Sequence, residues 1–177
     1  MKDMIPAWRN GKIVPVEKLE VHELGLKHKA VSIFLLNRGR VLIQQRAMGK
    51  YHTPGLWANT CCTHPDWDEP ASDCAVRRLD EELGITGIYP SFRDRVEYRA
   101  NVGGNLTEHE VVDIFVANTP DDLVIEPNPD EVMATRWVDL YELKVEVRRR
   151  PWEFTPWLRI YLSEHSETIF GEMAARV

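Results

Sequence analysis

Runs and stripes of hydrophobic positions divide the chain into predicted strands and helices. The apolar run AVSIFLL (30–36) predicts a buried strand, NRGR a turn, and VLIQQR (41–46) the hairpin partner of that strand. Further strands are predicted near residues 94–100, 108–117 and 133–140, and helices over residues 69–84, 140–150 and 156–173. Several strands with a central helix and a C-terminal helical run predict a mixed α/β domain packed in layers.

The central helix carries a carboxylate among its apolar positions. At about 100° per residue, one apolar stripe is formed by Ala71, Ala75, Val76, Leu79 and Leu83. Glu82 lies within this stripe, about 20° from Ala75. A carboxylate that faces a core is costly unless it is paired or coordinates a metal. Two interpretations therefore stay open: Glu82 pairs with Arg78 one turn earlier, or it is a metal ligand.

Two further carboxylates precede the apolar run VVDIFVA. Residues two positions apart in a strand share a face, so Glu108 and Glu110 project together. Adjacent carboxylates repel each other unless a cation holds them or one of them is protonated. Taken alone, the hexapeptide TEHEVV favours a solvated edge strand, but the apolar run after it argues against an edge.

Composition limits the cellular context and the class of partner. The chain has 177 residues and a net charge of −6, which argues against nucleic acid and anionic membranes as partners. No apolar run approaches the roughly 20 residues of a membrane span, and MKDMIPAWRNGK lacks the apolar core of a signal peptide. We expect a cytoplasmic protein with a single domain over residues 1–177, in which residues 1–20 and 160–177 are peripheral extensions.

The cysteines predict thiol chemistry or packing and argue against disulfides. The chain has three cysteines, an odd number that fits a reducing compartment. If the segment NTCCTH is extended, Cys61 points away from Cys62 and packs in the interior. Cys74 falls on the helix face opposite the apolar stripe, where a structural or incidental role is expected. The placement of His64 two residues after Cys62 calls for a separate explanation.

Residues 63–85 match the Nudix box, G-x5-E-x7-R-E-U-x-E-E-x-G-U. The matching residues are Glu69, Arg77, Leu79, Glu81, Glu82, Gly84 and Ile85. Two positions depart from the pattern, since Thr63 replaces the first Gly and Arg78 replaces the Glu after the Arg. The resemblance implies a Nudix-like layered fold in which a mixed β-sheet is packed between helices. Because one box carboxylate has become a cation, the departure argues against diphosphate hydrolysis.

The motifs around this box resemble type I isopentenyl-diphosphate isomerase. The resemblance is carried by RAMGKYHTPGLWANTCCTHP (46–65), YRA (98–100), EHEV (108–111), DEVMATRWVDL (130–140) and PWEFTPW (151–157). It implies an isomerase of isoprenoid biosynthesis that interconverts isopentenyl diphosphate and dimethylallyl diphosphate. The implied chemistry is protonation and deprotonation through a tertiary carbocation-like state.

The resemblance also implies roles for individual residues. Glu110, aided by Tyr98, is expected to protonate the substrate, and Cys62 to deprotonate it. Magnesium is expected to meet the substrate diphosphate at Glu82 and at the backbone carbonyl of Cys62. A tightly bound divalent metal, Mn²⁺, Zn²⁺ or Fe²⁺, is expected on His22, His28, His64, Glu108 and Glu110. Substrate contacts are expected from Arg46, Lys50, Arg78 and Trp157, with the indole of Trp157 facing the hydrocarbon tail.

Two other functions could use the same scaffold. A Nudix hydrolase of a nucleoside diphosphate derivative needs the box and magnesium, but it requires neither Cys62 nor Trp157, and Arg78 counts against it. A non-catalytic metal- or ligand-binding module has no need of Cys62, Tyr98, Glu110 and Trp157 together. We therefore predict an enzyme with a small-molecule substrate, acting as a monomer or weak homodimer.

Overall fold

Nine strands form one mixed β-sheet in the computed structural model, which describes residues 3–175. The strands are β1 (Met4–Arg9), β2 (Lys12–Glu17), β3 (His28–Asn37), β4 (Arg40–Arg46), β5 (Trp57–Ala58), β6 (Cys61–Thr63), β7 (Ser91–Gly103), β8 (Leu106–Asn118) and β9 (Val132–Asp139). The predicted hairpin of β3 and β4 is present, with Leu36 opposite Val41. The mixed sheet confirms the predicted α/β fold class.

Strand β3 lies at the centre of the sheet and fixes the positions of its neighbours. It pairs in parallel with β8, with His28 opposite Glu110, and antiparallel with β6, with Ser32 opposite Cys62. Nine of its ten residues are buried. A strand that is covered on both faces has a continuous apolar run instead of an alternating one. The pairing brings residues near 30, 62 and 110 of the chain together.

Helices cover both faces of the sheet. They are α1 (Lys18–Leu24), α2 (Ala71–Leu83), α3 (Leu140–Arg149), α4 (Pro156–Glu164), α5 (Ser166–Phe170) and α6 (Glu172–Ala175). Helix α2 ends at Gly84, whose φ of +61° suits glycine, and a Cβ there would lie 2.8 Å from the carbonyl oxygen of Glu126. Within residues 3–175, no helix has the length and apolarity to span a membrane.

The C-terminal helical run is divided into three short helices where one helix was predicted. The pattern over residues 156–173 predicts one helix, but the structure has α4, α5 and α6 in its place. The breaks fall at His165, with φ −123° and ψ 10°, and at Gly171, with φ 55° and ψ −128°. Tyr161, Leu162 and Phe170 nevertheless belong to the main core, so apolar periodicity survives the breaks.

Two hydrophobic cores lie on opposite faces of the sheet. Val31, Ile33 and Leu35 of β3 pack with α2, whereas Phe34 and Leu36 pack with α4 and α5. The neighbouring cysteines follow the same alternation. Cys61 is buried on the α2 side, and Cys62 packs against the other core, as the extended segment predicts.

The predicted position of Cys74 is wrong. Cys74 is fully buried in the core beneath α2, together with Ala75 and Leu79. The loop before α2 covers this flank of the helix, because Glu69 forms an ion pair with Arg77 and the Arg77 Nη2 atom lies 4.0 Å from the Cys74 sulfur. Burial therefore extends beyond the stripe that apolar residues alone define.

Part of the N-terminal segment that was expected to be a peripheral extension pairs with the sheet. Residues 4–17 form the β1–β2 hairpin, which joins the sheet through Ala7 opposite His28. Helix α1 follows it and packs on β8. It is held at its N-terminus by the Glu17 carboxylate, which accepts from the Glu20 N–H. This arrangement places His22 next to β8.

Candidate active site

Four side chains bring potential metal-ligating atoms within 4.8 Å of one another. They are His22, His28, His64 and Glu108. His22 comes from α1, His28 from the first position of β3, His64 from the residue after β6, and Glu108 from β8. Parallel pairing of β3 with β8 and antiparallel pairing of β3 with β6 bring these distant positions to the same end of the sheet.

Backbone carbonyls orient two of the histidine rings toward the centre of the cluster. The Nδ1 atom of His22 lies 2.6 Å from the Lys18 carbonyl oxygen, and that of His28 lies 2.8 Å from the Leu26 carbonyl oxygen. Because a carbonyl oxygen only accepts hydrogen bonds, Nδ1 carries the hydrogen in each ring. The carboxylates of Glu108 and Glu110 raise the pKa of His28 to about 10, so a cation at this site would have to displace a proton from that ring. A ring of this tautomer that has lost the Nε2 proton offers its Nε2 lone pair, which is the arrangement of a metal-binding histidine.

The interior of the cluster contains polar atoms without hydrogen-bond partners. They include His28 Nε2 and Glu108 Oε2, both buried, which lie 3.4 Å apart. Buried polar atoms without partners are costly, and a cation that both atoms coordinate removes the cost. Imidazole nitrogens with carboxylate oxygens are a donor set that suits divalent zinc, manganese and iron. The residues present therefore fit a divalent metal.

Glu110 joins the histidine cluster to a neighbouring cavity. Its Oε1 atom lies 3.0 Å from His64 Nε2 and 3.5 Å from His28 Nε2, while its Oε2 atom accepts a hydrogen bond of 2.6 Å from the Tyr98 hydroxyl. Burial, reinforced by the negative charge of Glu108, raises the pKa of the Glu110 carboxyl to about 7. A carboxyl with a pKa near neutrality can both hold and release a proton.

Cys62 lines the same cavity and is held by two polar side chains. Its thiol donates to Asn59 Oδ1 at 3.0 Å, and its sulfur lies 2.8 Å from Ser32 Oγ. The Asn59 amide group donates to the carbonyls of Ile33 and Cys61, so its oxygen faces the thiol. Burial raises the pKa of the Cys62 thiol, which keeps the thiol protonated at neutral pH.

The cavity combines positive charge with an aromatic wall. Its lining residues are Lys18, Arg46, Lys50, Tyr51, His52, Cys62, Thr63, His64, Arg78, Glu82, Tyr98, Glu108, Glu110 and Trp157. Except for His22 and His28, all of the predicted site residues are among them. Burial and the charges of Lys50 and Arg78 lower the pKa of the Lys18 ammonium, which indicates a concentration of positive charge. Such a site favours a multiply charged anion.

Trp157 forms the aromatic wall of this cavity. Its side chain is buried, and its indole nitrogen has no hydrogen-bond partner among the described residues. The Arg46 guanidinium lies 5.3 Å from the ring centroid, within the range of a cation–π contact. The helix α4 that carries Trp157 begins at Pro156, a proline at the first helical position, where no N–H is required.

Of the two interpretations of Glu82, the structure shows the pairing with Arg78. Glu82 is buried, and its Oε1 atom accepts from Arg78 Nη2 at 2.5 Å. Its Oε2 atom accepts from Gln44 Nε2 at 3.0 Å. The predicted pairing with Arg78 is therefore confirmed, and the same carboxylate lines the cavity. Its role as a magnesium ligand stays a prediction.

Sequence reasoning assigned no role to four residues that line the cavity, Lys18, Tyr51, His52 and Thr63. Lys18 lies at the first position of α1, and the prediction of residues 1–20 as an extension gave it no role. His52 lies between β4 and β5, and its Nε2 atom is 3.0 Å from Glu108 Oε1. A signal was available in KYH, because Tyr51 and His52 directly follow Lys50, which was itself predicted to contact the substrate.

Comparison with known proteins identifies the family. A family model for the NUDIX domain matches residues 26–158. An isopentenyl-diphosphate Delta-isomerase of Dinoroseobacter shibae is 65% identical over 98% of this chain and 99% of its own length. One of Cereibacter sphaeroides is 65% identical over 98% of each chain. The chain belongs to the isopentenyl-diphosphate Delta-isomerase family. The predictions of an enzyme, of an isomerase and of a Nudix fold are confirmed.

A solved structure supports the fold alone. A MutT NUDIX hydrolase from Burkholderia pseudomallei superposes with a TM-score of 0.61 at 24% identity, covering 78% of this chain and 97% of that chain. Family membership combined with the histidine and glutamate cluster supports binding of a divalent metal. The chain keeps the Nudix scaffold, and Arg78 pairs with the buried box carboxylate Glu82.

The ligand cluster predicts which substitution removes the tightly bound metal. We expect His64→Ala to lose the metal after dialysis, because it removes one of the mutually close donors. Metal content measured by mass spectrometry of protein purified without a histidine tag tests this. His109→Ala is a matched control, since His109 lies on β8 between the two glutamates but pairs with Glu97 at 3.2 Å on the other face. Full metal occupancy in His64→Ala contradicts the ligand set.

Proposed function

We propose that this chain interconverts isopentenyl diphosphate and dimethylallyl diphosphate, with Cys62 and Glu110 as the two proton carriers. The observation that carries the proposal is that the Cys62 thiol and the Tyr98–Glu110 pair line one buried cavity. The names of the relatives support the reaction, and the geometry supports the assignment of roles.

The reaction needs two groups that exchange protons at different carbons. Moving the double bond by one position adds a proton to the terminal methylene and removes one from the carbon next to the oxygenated carbon. Between these events, positive charge is greatest at the tertiary carbon. Glu110 suits either task because burial raises its pKa to about 7, so the carboxyl can give up or take up a proton near neutral pH. Burial also raises the pKa of the Cys62 thiol, so Cys62 holds a proton and can accept one from the substrate only as the thiolate, after its own proton has left. The order of the two transfers stays a prediction from the resemblance.

Tyr98 and Ser32 support the two carriers. The Tyr98 hydroxyl donates to Glu110 Oε2 at 2.6 Å, so it orients one oxygen of the carboxyl and can pass on a proton. The Ser32 hydroxyl lies 2.8 Å from the Cys62 sulfur and 2.9 Å from the Tyr161 hydroxyl. These contacts hold both acid–base groups in place on rigid strands, as efficient proton transfer requires.

Trp157 is proposed to stabilise the tertiary cation and to exclude water. An indole face that lies against a desolvated cation contributes about 2 kcal/mol or more. Exclusion of water prevents capture of the cation by hydration. The buried position of Trp157 beside Arg46 suits a substrate whose hydrocarbon tail meets the ring while its diphosphate meets the cations.

The proposed diphosphate site consists of Lys18, Arg46, Lys50 and Arg78, with Glu82 and the Cys62 carbonyl as ligands for magnesium. The tight site is assigned to His22, His28, His64, Glu108 and Glu110, with Mn²⁺, Zn²⁺ or Fe²⁺ as its occupant. When bound, the tight metal fixes the Glu110 carboxylate and tunes its proton affinity, and magnesium neutralises diphosphate charge. We further propose that the protein is cytoplasmic and acts as a monomer or weak homodimer. Neither nucleic acid nor a membrane is proposed as a partner.

Deuterium incorporation tests the reaction. In heavy water with magnesium and isopentenyl diphosphate, we expect deuterium in a methyl group of dimethylallyl diphosphate, because the terminal methylene is protonated by a group that exchanges with solvent. The product is analysed by NMR while phosphate is assayed in parallel. Steady phosphate release without a labelled allylic product would restore the hydrolase interpretation.

Substitution of the cysteines tests the role of Cys62 as a proton carrier. Cys62→Ala should lower kcat by about 10⁴ or more, at or above the upper end for loss of a general acid or base. Cys61→Ala and Cys74→Ala should stay within a few-fold of the wild type, because both side chains pack in the core beneath α2. Comparable losses in all three variants would sink the assignment of Cys62.

Substitution of Trp157 tests stabilisation of the cation. Trp157→Ala should slow turnover by roughly 30-fold or more, the rate equivalent of about 2 kcal/mol, and Trp157→Phe should lose less because an aromatic face remains. Trp152→Ala serves as the control, since Trp152 is 68% exposed. A Phe variant as slow as the Ala variant, with both folded by circular dichroism, would count against a role for the aromatic face.

A further inference from the structure

His52 lies buried beside the histidine cluster and contacts one of its carboxylates. Its Nε2 atom is 3.0 Å from Glu108 Oε1, and its side chain is 4% exposed. The other oxygen of the same carboxylate, Oε2, lies 3.2 Å from His22 Nε2 and 3.4 Å from His28 Nε2. One oxygen of Glu108 therefore contacts His52, and the other contacts the Nε2 atoms of His22 and His28.

The contact with Glu108 determines which nitrogen of His52 carries the hydrogen. A carboxylate only accepts hydrogen bonds, so Nε2 is the donor in the contact with Glu108. A neutral ring then has its lone pair on Nδ1, which lies 3.1 Å from the Thr53 hydroxyl. The hydroxyl can donate to this lone pair. The Thr53 hydroxyl thus donates to the His52 imidazole, and the imidazole in turn donates to the Glu108 carboxylate.

The backbone at Thr53 is in an unfavourable conformation. Its φ is +46°, in the left-handed region that β-branched residues rarely adopt. Such a conformation is strained and persists only where the surroundings hold it. One effect of this geometry is to bring the hydroxyl within reach of His52. The following turn is closed by a hydrogen bond from the Gly55 N–H to the Arg46 carbonyl, at 3.0 Å.

His52 also contacts the aromatic wall and a cation of the cavity. Its ring meets the Trp157 ring edge to face, with centroids 5.8 Å apart. Arg46 donates through Nη2 to the His52 carbonyl oxygen at 3.1 Å. One residue therefore links the metal-site carboxylate, the indole and a predicted phosphate-binding side chain, so its position is fixed from three directions.

We propose that His52 is a positioning residue of the metal site, which holds Glu108 Oε1 so that Oε2 is presented to the tightly bound cation. The proposal rests on the ligand set assigned under the proposed function. A hydrogen bond to a ligating carboxylate limits its rotation and strengthens metal binding, and loss of such a partner typically weakens affinity by about 10–100-fold. The expected effect of His52 is on metal affinity and not on proton transfer itself.

Zinc affinity tests this role without any assay of turnover. Metal-free protein is titrated with Zn²⁺ in competition with a chromogenic chelator. His52→Ala should raise the Kd for Zn²⁺ by about 10–100-fold, whereas His52→Gln should stay closer to the wild type, because its amide can still donate to Glu108. Thr53→Val, which removes only the hydroxyl, should weaken binding by several-fold. His109→Ala should leave the Kd unchanged.

The outcomes separate this inference from the assignment of the ligand set. A tight wild-type site that His52→Ala leaves unchanged would overturn the role of His52 alone. Equal weakening in His52→Ala and His52→Gln, with both variants folded by circular dichroism, would overturn it as well, because a contact that acts only by packing does not need a donor. Wild-type protein that binds no zinc tightly would refute the ligand set and this inference with it.

Discussion

The pair of buried carboxylates on β8 is the constraint on which the rest of the site depends. Glu108 and Glu110 share one face of the strand, and both are nearly inaccessible to water. Two such charges in a protein interior require compensation by hydrogen bonds, protons or cations. Three histidines on one side, the Tyr98 hydroxyl on the other and a cation-lined cavity beyond supply these partners. The groups that contact each carboxylate oxygen of Glu108 and Glu110 decide the chemistry of the site.

The central strand delivers those partners in the required register. Parallel pairing places His28 opposite Glu110, and antiparallel pairing places Ser32 opposite Cys62. A one-residue shift in either register would turn these side chains to the other face of the sheet. The apolar residues of β3, which pack against helices on both faces, prevent such a shift. Core packing and site geometry therefore depend on the same strand.

Relative to the Nudix pattern, one substitution changes the electrostatics of the central helix. Arg78 stands where the pattern has a glutamate, and its guanidinium contacts Glu82, Glu81 and Glu131. Fewer uncompensated carboxylates remain to gather cations around a diphosphate. This suits a site that holds the diphosphate while the reaction takes place on the hydrocarbon, where the thiol, the phenol-bound carboxyl and the indole meet.

Local periodicity accounts for what could be predicted from the sequence. The alternation of strands puts Glu108 and Glu110 on one face and turns Cys61 away from Cys62. The helical repeat buries Glu82, and Gly84 ends the helix. The motifs that carry the family resemblance add the histidine ligands and the aromatic wall. Each of these depends on neighbours within a few residues or on motifs that can be compared directly, so no tertiary contact has to be known.

Contacts between distant segments account for what could not be predicted. Cys74 is buried in the core beneath α2 with the Glu69–Arg77 pair beside it, and the two breaks near the C-terminus divide an uninterrupted apolar pattern. The contact of His52 with Glu108 depends on a loop whose conformation includes a left-handed Thr53, which no periodicity encodes. The sequence by itself therefore determined the faces of strands and helices and the family. Only the tertiary structure decided which buried polar atoms meet, because the cost of burying them is settled by partners far away in the chain.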